Sequence, residues 1–197
     1  MTPHPRPATP DDASFAAPLI QATIGAIGHA LTGEAADEGA ARVIADFFAQ
    51  PGNRLSSENT VLLEEDGTPL GLAVLYPGDR AQALDEPFRA RLRALGWPDR
   101  IDPEAQPGEL YLDTLAVVPS ARGRGLGALL LEASVARAAA LGLPRVGLLV
   151  EDGNPAARLY ARHGFLPAGT RRVAGHLYTH LTRAVAGPSP WPLAPLA

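Results

Sequence analysis

The hexapeptide Arg-Gly-Arg-Gly-Leu-Gly at Arg122–Gly127 lies between an apolar run typical of a strand and an Ala/Leu-rich stretch typical of a helix. Its three glycines, at alternate positions, remove side chains from the turn, so that an anion can approach the backbone amides closely. The first N–H groups of a helix have no intrahelical acceptor and carry partial positive charge. The segment therefore predicts a phosphate-binding turn at a strand-to-helix junction.

Two common phosphate-binding loops do not match this turn. A Walker-type loop ends in Gly-Lys-Ser/Thr, whereas Gly127 is followed by Ala128 and the chain contains no lysine. A dinucleotide fingerprint needs Gly-x-Gly-x-x-Gly early in a βαβ unit, with an acidic residue about 20 positions later. The glycine spacing here differs and the segment lies late in the chain, which argues against dinucleotide binding.

The composition of the chain narrows the classes of protein to which it can belong. A chain of 197 residues with 46% hydrophobic content suits one globular domain. The absence of cysteine excludes disulfides, cysteine-ligated metals and a cysteine nucleophile. The proline-rich start does not resemble a signal peptide, and no run approaches the ~18 apolar residues of a membrane span, so we expect a cytoplasmic protein without membrane contact. A net charge of −4 makes nucleic-acid binding through the Arg-Gly-Arg turn the weakest hypothesis.

Periodicity predicts alternating helices and strands. Helices are expected from Thr9 to about Ala26 and over 34–50, 80–95, 126–141 and 154–164. Strands are expected over 4–9, 59–64, 69–76, 110–118, 145–150, 166–173 and 175–183, the last two as an antiparallel pair. We interpret the Pro- and acid-rich segment 77–107 as an insertion or lid, and the Pro-rich segment 184–197 as a flexible tail.

Arg-x-x-Gly-x-Gly between a strand and a helix resembles the acyl-CoA pyrophosphate loop of the GNAT superfamily of N-acyltransferases. The segment Asn154–Phe165 is similar to the family's second coenzyme-contacting helix, and Arg6–Asp12 to its opening strand and first helix start. The resemblance covers roughly residues 4–183. It implies an α/β fold with a mixed, partly parallel twisted sheet flanked by helices, as a single domain over 1–183.

The resemblance also implies a binding site for acetyl-CoA as co-substrate, with no metal. The backbone of Leu115, Ala116 and Val117 would pair with the pantetheine arm, and Asn154 would contact it in addition to capping its helix. The amides of residues 124–128 would hold the diphosphate. The implied cradle residues are Arg122, Gly123, Arg124, Gly125, Leu126, Gly127 and Ala128.

Tyr160 is the candidate acid or thiolate stabiliser, because a phenol with a pKa near 10 stays protonated at neutral pH and can donate to a departing thiolate. Glu109, Tyr111 and Asp113 alternate on one face of the central strand, where family members often place a carboxylate base. Asp113 is the first candidate for that role and Glu109 the second. A purely structural role for each carboxylate and for the tyrosine stays open at this point.

His176, Tyr178 and His180 alternate along the last strand and are candidates for contact with the acceptor. The insertion carries acidic residues that either attract a cationic amine or form a solvated face; they are Asp79, Asp85, Glu86, Asp99, Asp102 and Glu104. Nothing in these segments identifies the acceptor.

The resulting hypothesis is an N-acetyltransferase that moves acetyl from acetyl-CoA to a primary amine of a small molecule or peptide, by direct attack in a ternary complex. The alternative is a non-catalytic acyl-CoA-binding or sensor module of the same fold. A homodimer is compatible with the resemblance, because many relatives pair through sheet edges.

Overall fold

A computed structural model describes residues 2–185 of the chain. The part of the predicted proline-rich tail that follows Val185 therefore lies outside the described residues. Within 2–185 no single helix is both long and apolar enough to cross a membrane; the consecutive helical segments Pro10–Ile24 and Ala26–Thr32 meet that criterion only together, across a bend of 116°.

The described residues form seven strands and seven α-helices. The strands are β1 His4–Pro7, β2 Thr60–Glu65, β3 Thr68–Pro77, β4 Leu110–Val117, β5 Arg145–Glu151, β6 Leu166–Val173 and β7 His176–Ala184. The helices are α1 Ala13–Ile24, α2 Ala26–Thr32, α3 Asp37–Phe48, α4 Ala81–Leu84, α5 Glu86–Ala94, α6 Leu126–Ala140 and α7 Ala157–Arg162.

All seven strands belong to one sheet, in the order β1-β2-β3-β4-β5-β7-β6. Only β4 and β5 pair in parallel; every other neighbouring pair is antiparallel. The predicted mixed, partly parallel α/β fold is confirmed. The closing pair is also antiparallel as predicted, with β7 inserted between β5 and β6.

Hydrophobic cores lie on both faces of the sheet. On one face α6 packs against β3, β4 and β5, with Leu126, Leu130 and Leu131 buried. On the other face α1 packs against α3 and β4, with Ile20 and Ile44 fully buried. The two layers enclose β4, the central strand of the sheet.

Helix α2 lies between the helices expected from Thr9 to about Ala26 and over 34–50, in a segment for which no helix is predicted. The chain does bend at Gly25, whose φ is +49°, but α2 then continues through Gly28. A Cβ on Gly28 would lie 2.0 Å from Oε1 of Gln21 on α1. Gly28 therefore permits the close contact between α1 and α2 instead of ending a helix.

The segment predicted as an insertion or lid contains two helices instead of one. Pro87 has no N–H to continue the helix from α4, so α4 ends at Leu84 and α5 begins at Glu86. Phe88 and Leu92 of α5 are buried, and the Phe88 ring lies 4.2 Å from that of Phe47 on α3. This segment is thus part of the packed domain.

Candidate active site

The central parallel pair separates along its length. β4 and β5 pair only at Leu110 with Val146 and at Tyr111 with Gly147. On its other edge β4 stays paired with β3 as far as Val117. The edge of β4 that faces β5 is therefore unpaired beyond Tyr111, and leaves room for an extended ligand to add to it.

A cleft of about 740 Å³ begins at this separation and reaches the start of α6; we call it the cradle cleft. It brings the predicted coenzyme-binding residues together, apart from Arg124. Those that line it are Leu115, Ala116, Val117, Arg122, Gly123, Gly125, Leu126, Gly127, Ala128, Asn154 and Tyr160.

The predicted phosphate-binding turn has the backbone conformation that glycine favours. Gly123 and Gly125 both have φ of +78°, and Gly125 is the N-cap of α6. Gly127 serves a different purpose, because a Cβ there would lie 3.0 Å from Cδ2 of Leu159 on α7. The amide of Ala128 already donates to the carbonyl of Gly125 (3.1 Å), so the amides before it are the ones left for an anion.

The two arginines of the turn differ in their contacts. Both Glu65 carboxylate oxygens accept hydrogen bonds from Nη2 of Arg124, at 2.8 and 2.9 Å, and Arg124 does not line the cleft. Arg122 lines the cleft and donates through Nε to the carbonyl of Val117 (3.2 Å). Arg162 at the end of α7 also lines it. Arg122 and Arg162 are therefore the arginines that line the cradle cleft among the described residues, and sequence reasoning missed Arg162.

Asn154 uses one atom to shape the start of α7. Its Oδ1 accepts a hydrogen bond from the amide of Ala156 (2.9 Å). Its Nδ2 makes no hydrogen bond to residues 2–185 and can donate to a ligand in the cleft. Asn154 precedes the N-cap of α7, which is Ala156, so its side chain closes a turn before the helix and does not cap it.

Tyr160 lies on α7, where the cradle cleft meets a second cavity. It is 9% exposed, and its ring packs edge-on against Phe165 with 5.9 Å between centroids. Burial raises the pKa of the Tyr160 phenol to about 12. The phenol is therefore protonated at neutral pH and keeps its O–H as a hydrogen-bond donor.

The second cavity, of about 220 Å³, we call the acidic cavity. Its described lining includes three carboxylates and neither arginine nor lysine. The polar and aromatic residues relevant to chemistry are Glu104, Asp113, Glu151, Tyr160, His176 and Tyr178. A cationic ligand is favoured there by charge.

Asp113 lies in the wall of this cavity, at a bulge in β4. The register between β3 and β4 shifts so that Val74 faces Thr114 while Leu75 faces Leu112, which leaves Asp113 unpaired. Its Oδ2 accepts hydrogen bonds from Nε (3.0 Å) and Nη2 of Arg54 and from the Tyr76 hydroxyl (3.1 Å). The Thr114 hydroxyl donates to Oδ1 (3.0 Å).

Arg54 is buried among carboxylates. Its side chain is 2% exposed and pairs with Asp85, Glu104 and Asp113, which are also buried. Its guanidinium carbon lies 5.6 Å from the centroid of the Tyr76 ring. Sequence reasoning gave this arginine no role, because nothing in the neighbouring residues distinguishes it from a surface arginine.

Glu104, one of the acidic residues of the insertion, is buried in the acidic cavity instead of lying on a solvated face. Its Oε1 accepts from Nη2 of Arg54 (2.6 Å) and its Oε2 from the Tyr111 hydroxyl (3.0 Å). Burial raises the pKa of the Glu104 carboxyl, with Arg54 opposing and Asp113 adding to the rise. Burial likewise raises the pKa of Asp85, whereas Asp79 and Glu86 are exposed and Asp99 and Asp102 are partly exposed.

Glu109, the second candidate base, is fully buried away from the acidic cavity. Its Oε1 accepts from the amide of Gln106 (2.8 Å), and its Oε2 lies 3.1 Å from Nε2 of His180. Nδ1 of His180 in turn lies 3.1 Å from Nε2 of Gln106. This closed network gives Glu109 and His180 a structural role, and their predicted parts in catalysis and acceptor contact stay predictions that the geometry does not favour.

His176 and Tyr178, the other two candidates on the last strand, do line the acidic cavity. Nδ1 of His176 lies 2.9 Å from Oε1 of Glu151 at an exposed position. Burial raises the pKa of the Tyr178 phenol. Both residues remain candidates for contact with the acceptor.

Comparison with known proteins agrees with this geometry. Residues 29–165 match the model of the acetyltransferase (GNAT) family. A crystal structure of an acetyltransferase is 33% identical, with a TM-score of 0.76 and coverage of 93% of this chain and all of that chain. An N-acetyltransferase from Staphylococcus aureus Mu50 shares the fold at 20% identity, with a TM-score of 0.76, covering 91% of this chain and 100% of that one.

Mycothiol acetyltransferase from Mycobacteroides abscessus is 37% identical over 113 residues, which is 50% of this chain and 38% of that protein. The chain thus spans well under half the length of this curated relative. The family model, in contrast, spans well over half of the chain, and the 33% identical acetyltransferase is similar across nearly all of it. The chain therefore belongs to the acetyltransferase (GNAT) family of acyltransferase enzymes.

Proposed function

We propose that the protein is an N-acetyltransferase that transfers acetyl from acetyl-CoA to a primary amine by direct attack in a ternary complex. The observation that carries this proposal is the position of Tyr160, which lines both the cradle cleft and the acidic cavity. A thioester held in the first and an amine held in the second would meet beside its hydroxyl.

The cradle cleft suits the donor along its length. The positive φ at Gly123 and Gly125 supports a turn whose amides bind phosphate oxygens, with Arg122 and Arg162 adding positive charge. The unpaired edge of β4 at Leu115, Ala116 and Val117 would bind the amide groups of the pantetheine arm, and Nδ2 of Asn154 would donate to it. Together these contacts would hold the thioester beside Tyr160.

Tyr160 would act chiefly as a hydrogen-bond donor to the departing sulfur. Its pKa of about 12 lies above the ordinary value of about 8.5 for a thiol, so complete transfer of its proton to a thiolate is uphill unless the phenol regains a proton in the same step. The amine loses a proton as it attacks, and that proton can replace the one Tyr160 gives to sulfur. The phenol would then finish the reaction as it began.

Direct attack is favoured over a covalent enzyme intermediate that uses cysteine, because the chain contains no cysteine. The relative named for mycothiol acetylation supports acetyl as the transferred group. It does not carry its own acceptor over to this chain, because the similarity covers half of the residues.

The proposal is tested by calorimetric titration with acetyl-CoA, followed by detection of released thiol in the presence of a panel of primary amines. The protein contributes no thiol to this assay because it has no cysteine. We expect saturable binding and thiol release that depends on the amine. Binding without such release would instead support the non-catalytic acyl-CoA sensor, and absence of binding would remove the proposed function.

A further inference from the structure

Three carboxylates line the acidic cavity, and they differ in what their oxygens already bind. Asp113 accepts four hydrogen bonds, which is about the full capacity of a carboxylate. Glu151 is exposed and paired with His176. Glu104 is 6% exposed and accepts only two, one from Arg54 and one from Tyr111. Glu104 is thus the buried carboxylate with capacity left for a proton.

The position of Glu104 also favours proton transfer. Glu104 belongs to the coil between α5 and β4 and lines the acidic cavity. Tyr160 lines the same cavity where it meets the cradle cleft. A general base has to lie within reach of the attacking nitrogen, and Glu104 lines the same cavity of about 220 Å³ as Tyr160. Size and charge together favour a small, positively charged acceptor.

We propose that Glu104 accepts the proton from the acceptor's ammonium group, and that the acidic cavity selects a small primary amine that arrives as a cation. This inference rests on the proposed function and identifies a base and a substrate class for it. Asp113, held by Arg54 and Tyr76, would contribute charge to the cavity instead of accepting the proton.

The ammonium gives one proton to the Glu104 carboxylate and becomes a neutral amine, whose lone pair forms the bond to the thioester carbonyl carbon. The bond from that carbon to sulfur breaks, and sulfur takes the second nitrogen proton through the Tyr160 hydroxyl. Glu104 releases its proton to solvent when the product leaves, so one proton is freed for each amide and thiol formed.

Several charged and titratable groups act on Glu104. Arg54 and Tyr111 donate hydrogen bonds to its carboxylate. Asp113, Asp85 and Tyr76 interact electrostatically with the same Arg54. Tyr178 interacts electrostatically with Glu104 itself. Burial raises the pKa of Glu104 more than Arg54 lowers it. The base form is therefore lost as the pH falls through this raised pKa, and the rate should show an acidic limb at that point.

The test compares two nucleophiles with the wild type and Glu104→Gln. Putrescine is protonated at neutral pH and needs a base, whereas hydroxylamine is largely unprotonated and needs none. We expect Glu104→Gln to lower kcat/KM for putrescine about 10²-fold and to remove the acidic limb, while the enzymatic rate with hydroxylamine stays within about three-fold of the wild type. Reactions without enzyme give the background for hydroxylamine.

Asp85→Asn is the matched control, because it also removes a buried carboxylate from Arg54 but one that does not line the acidic cavity. We expect it to keep both activities within a few-fold of the wild type. Equal losses with putrescine and hydroxylamine in Glu104→Gln, or an unchanged rate and pH profile with putrescine, would overturn the inference while leaving acetyl transfer intact. Failure of the wild type with every nucleophile would contradict the proposed function itself.

Selection for a cation is tested with amines of equal chain length and different terminal charge. We expect kcat/KM to fall from putrescine to n-butylamine to 4-aminobutyrate, by about ten-fold or more at each step, because three carboxylates and neither arginine nor lysine line the cavity within residues 2–185. The order should flatten as the salt concentration rises. Equal rates for the three amines, or a preference for 4-aminobutyrate, would overturn the proposed substrate class.

Discussion

The guanidinium of Arg54 and the carboxylate of Asp113 form an ion pair in which both side chains are at most 2% exposed. The pair links the loop before β2 to the bulge of β4, 59 residues apart in the chain. Asp85 and Glu104 share the same guanidinium, so a single cation offsets three buried carboxylates. Arg54 thus holds the wall of the acidic cavity together.

Replacement of Arg54 by methionine should lower the free energy of unfolding by about 3–5 kcal/mol, because it leaves buried carboxylates without a counter-charge. The pKa values of Asp85 and Glu104 are already raised by burial and would rise further. A carboxyl with a raised folded-state pKa costs stability at neutral pH, and this cost disappears as the pH falls below that pKa. In urea titrations the deficit should therefore shrink as the pH is lowered from neutral towards the ordinary pKa range of a carboxyl group.

Arg93→Met is the control for that measurement, because Arg93 forms its ion pairs with Glu86 and Asp99 at an exposed position. It should leave the unfolding midpoint unchanged. A deficit in Arg54→Met that is constant with pH would contradict the role assigned to the carboxylates.

Replacement of Tyr160 by phenylalanine should lower kcat about 10²-fold, because it removes the hydroxyl and keeps the ring that packs against Phe165. The affinity for acetyl-CoA should not change, since the cradle cleft keeps its other contacts. Steady-state thiol release and calorimetric titration measure the two effects separately. Unchanged turnover would exclude a catalytic role for the phenol.

The sequence predicted the parts of this site that depend on local patterns. The turn at residues 122–127 and the helix from Leu126 follow from glycine spacing and helical periodicity, and the structure has both. The helix predicted from Asn154 begins only at Ala157, with Ala156 as its N-cap, so the prediction of Asn154 as the cap was wrong, and its side chain instead forms a turn before the helix. These features need only neighbouring residues to form.

The acidic cavity could not be predicted in this way, because it depends on contacts between distant segments. Glu104 resembles its exposed acidic neighbours in sequence, and only the packing of 99–105 against β4 and Arg54 buries it. The bulge at Asp113 depends on how β3 pairs with β4, which alternation along β4 alone does not reveal. Arg54 carries no local signal, although it contacts three of the buried carboxylates.

Arg122→Met and Arg124→Met should differ in their effect on acetyl-CoA, although the two residues are two positions apart. Arg122 lines the cradle cleft, so its loss should weaken binding about ten-fold, as expected for a hydrogen bond to a charged group. Arg124 is engaged by Glu65, so its loss should have little effect. Calorimetric titrations at low and high salt measure both variants, and the difference between them should narrow at high salt. A larger effect from Arg124 would mean that its pair with Glu65 breaks on binding.

Gly125→Ala should weaken acetyl-CoA binding about ten-fold, because an alanine resists a φ of +78° and would turn the amides of the phosphate-binding turn. No atom lies within 4 Å of a Cβ at this position, so the change acts through the backbone and not through a clash. Gly142→Ala is the matched control, with φ of +67° and equally open space, at the other end of α6. Each variant should lose about 1–2 kcal/mol of stability, as measured by urea unfolding, but only Gly125→Ala should lose affinity in calorimetric titrations. Equal affinity of the two variants for acetyl-CoA would show that the amides of this turn do not hold its phosphates.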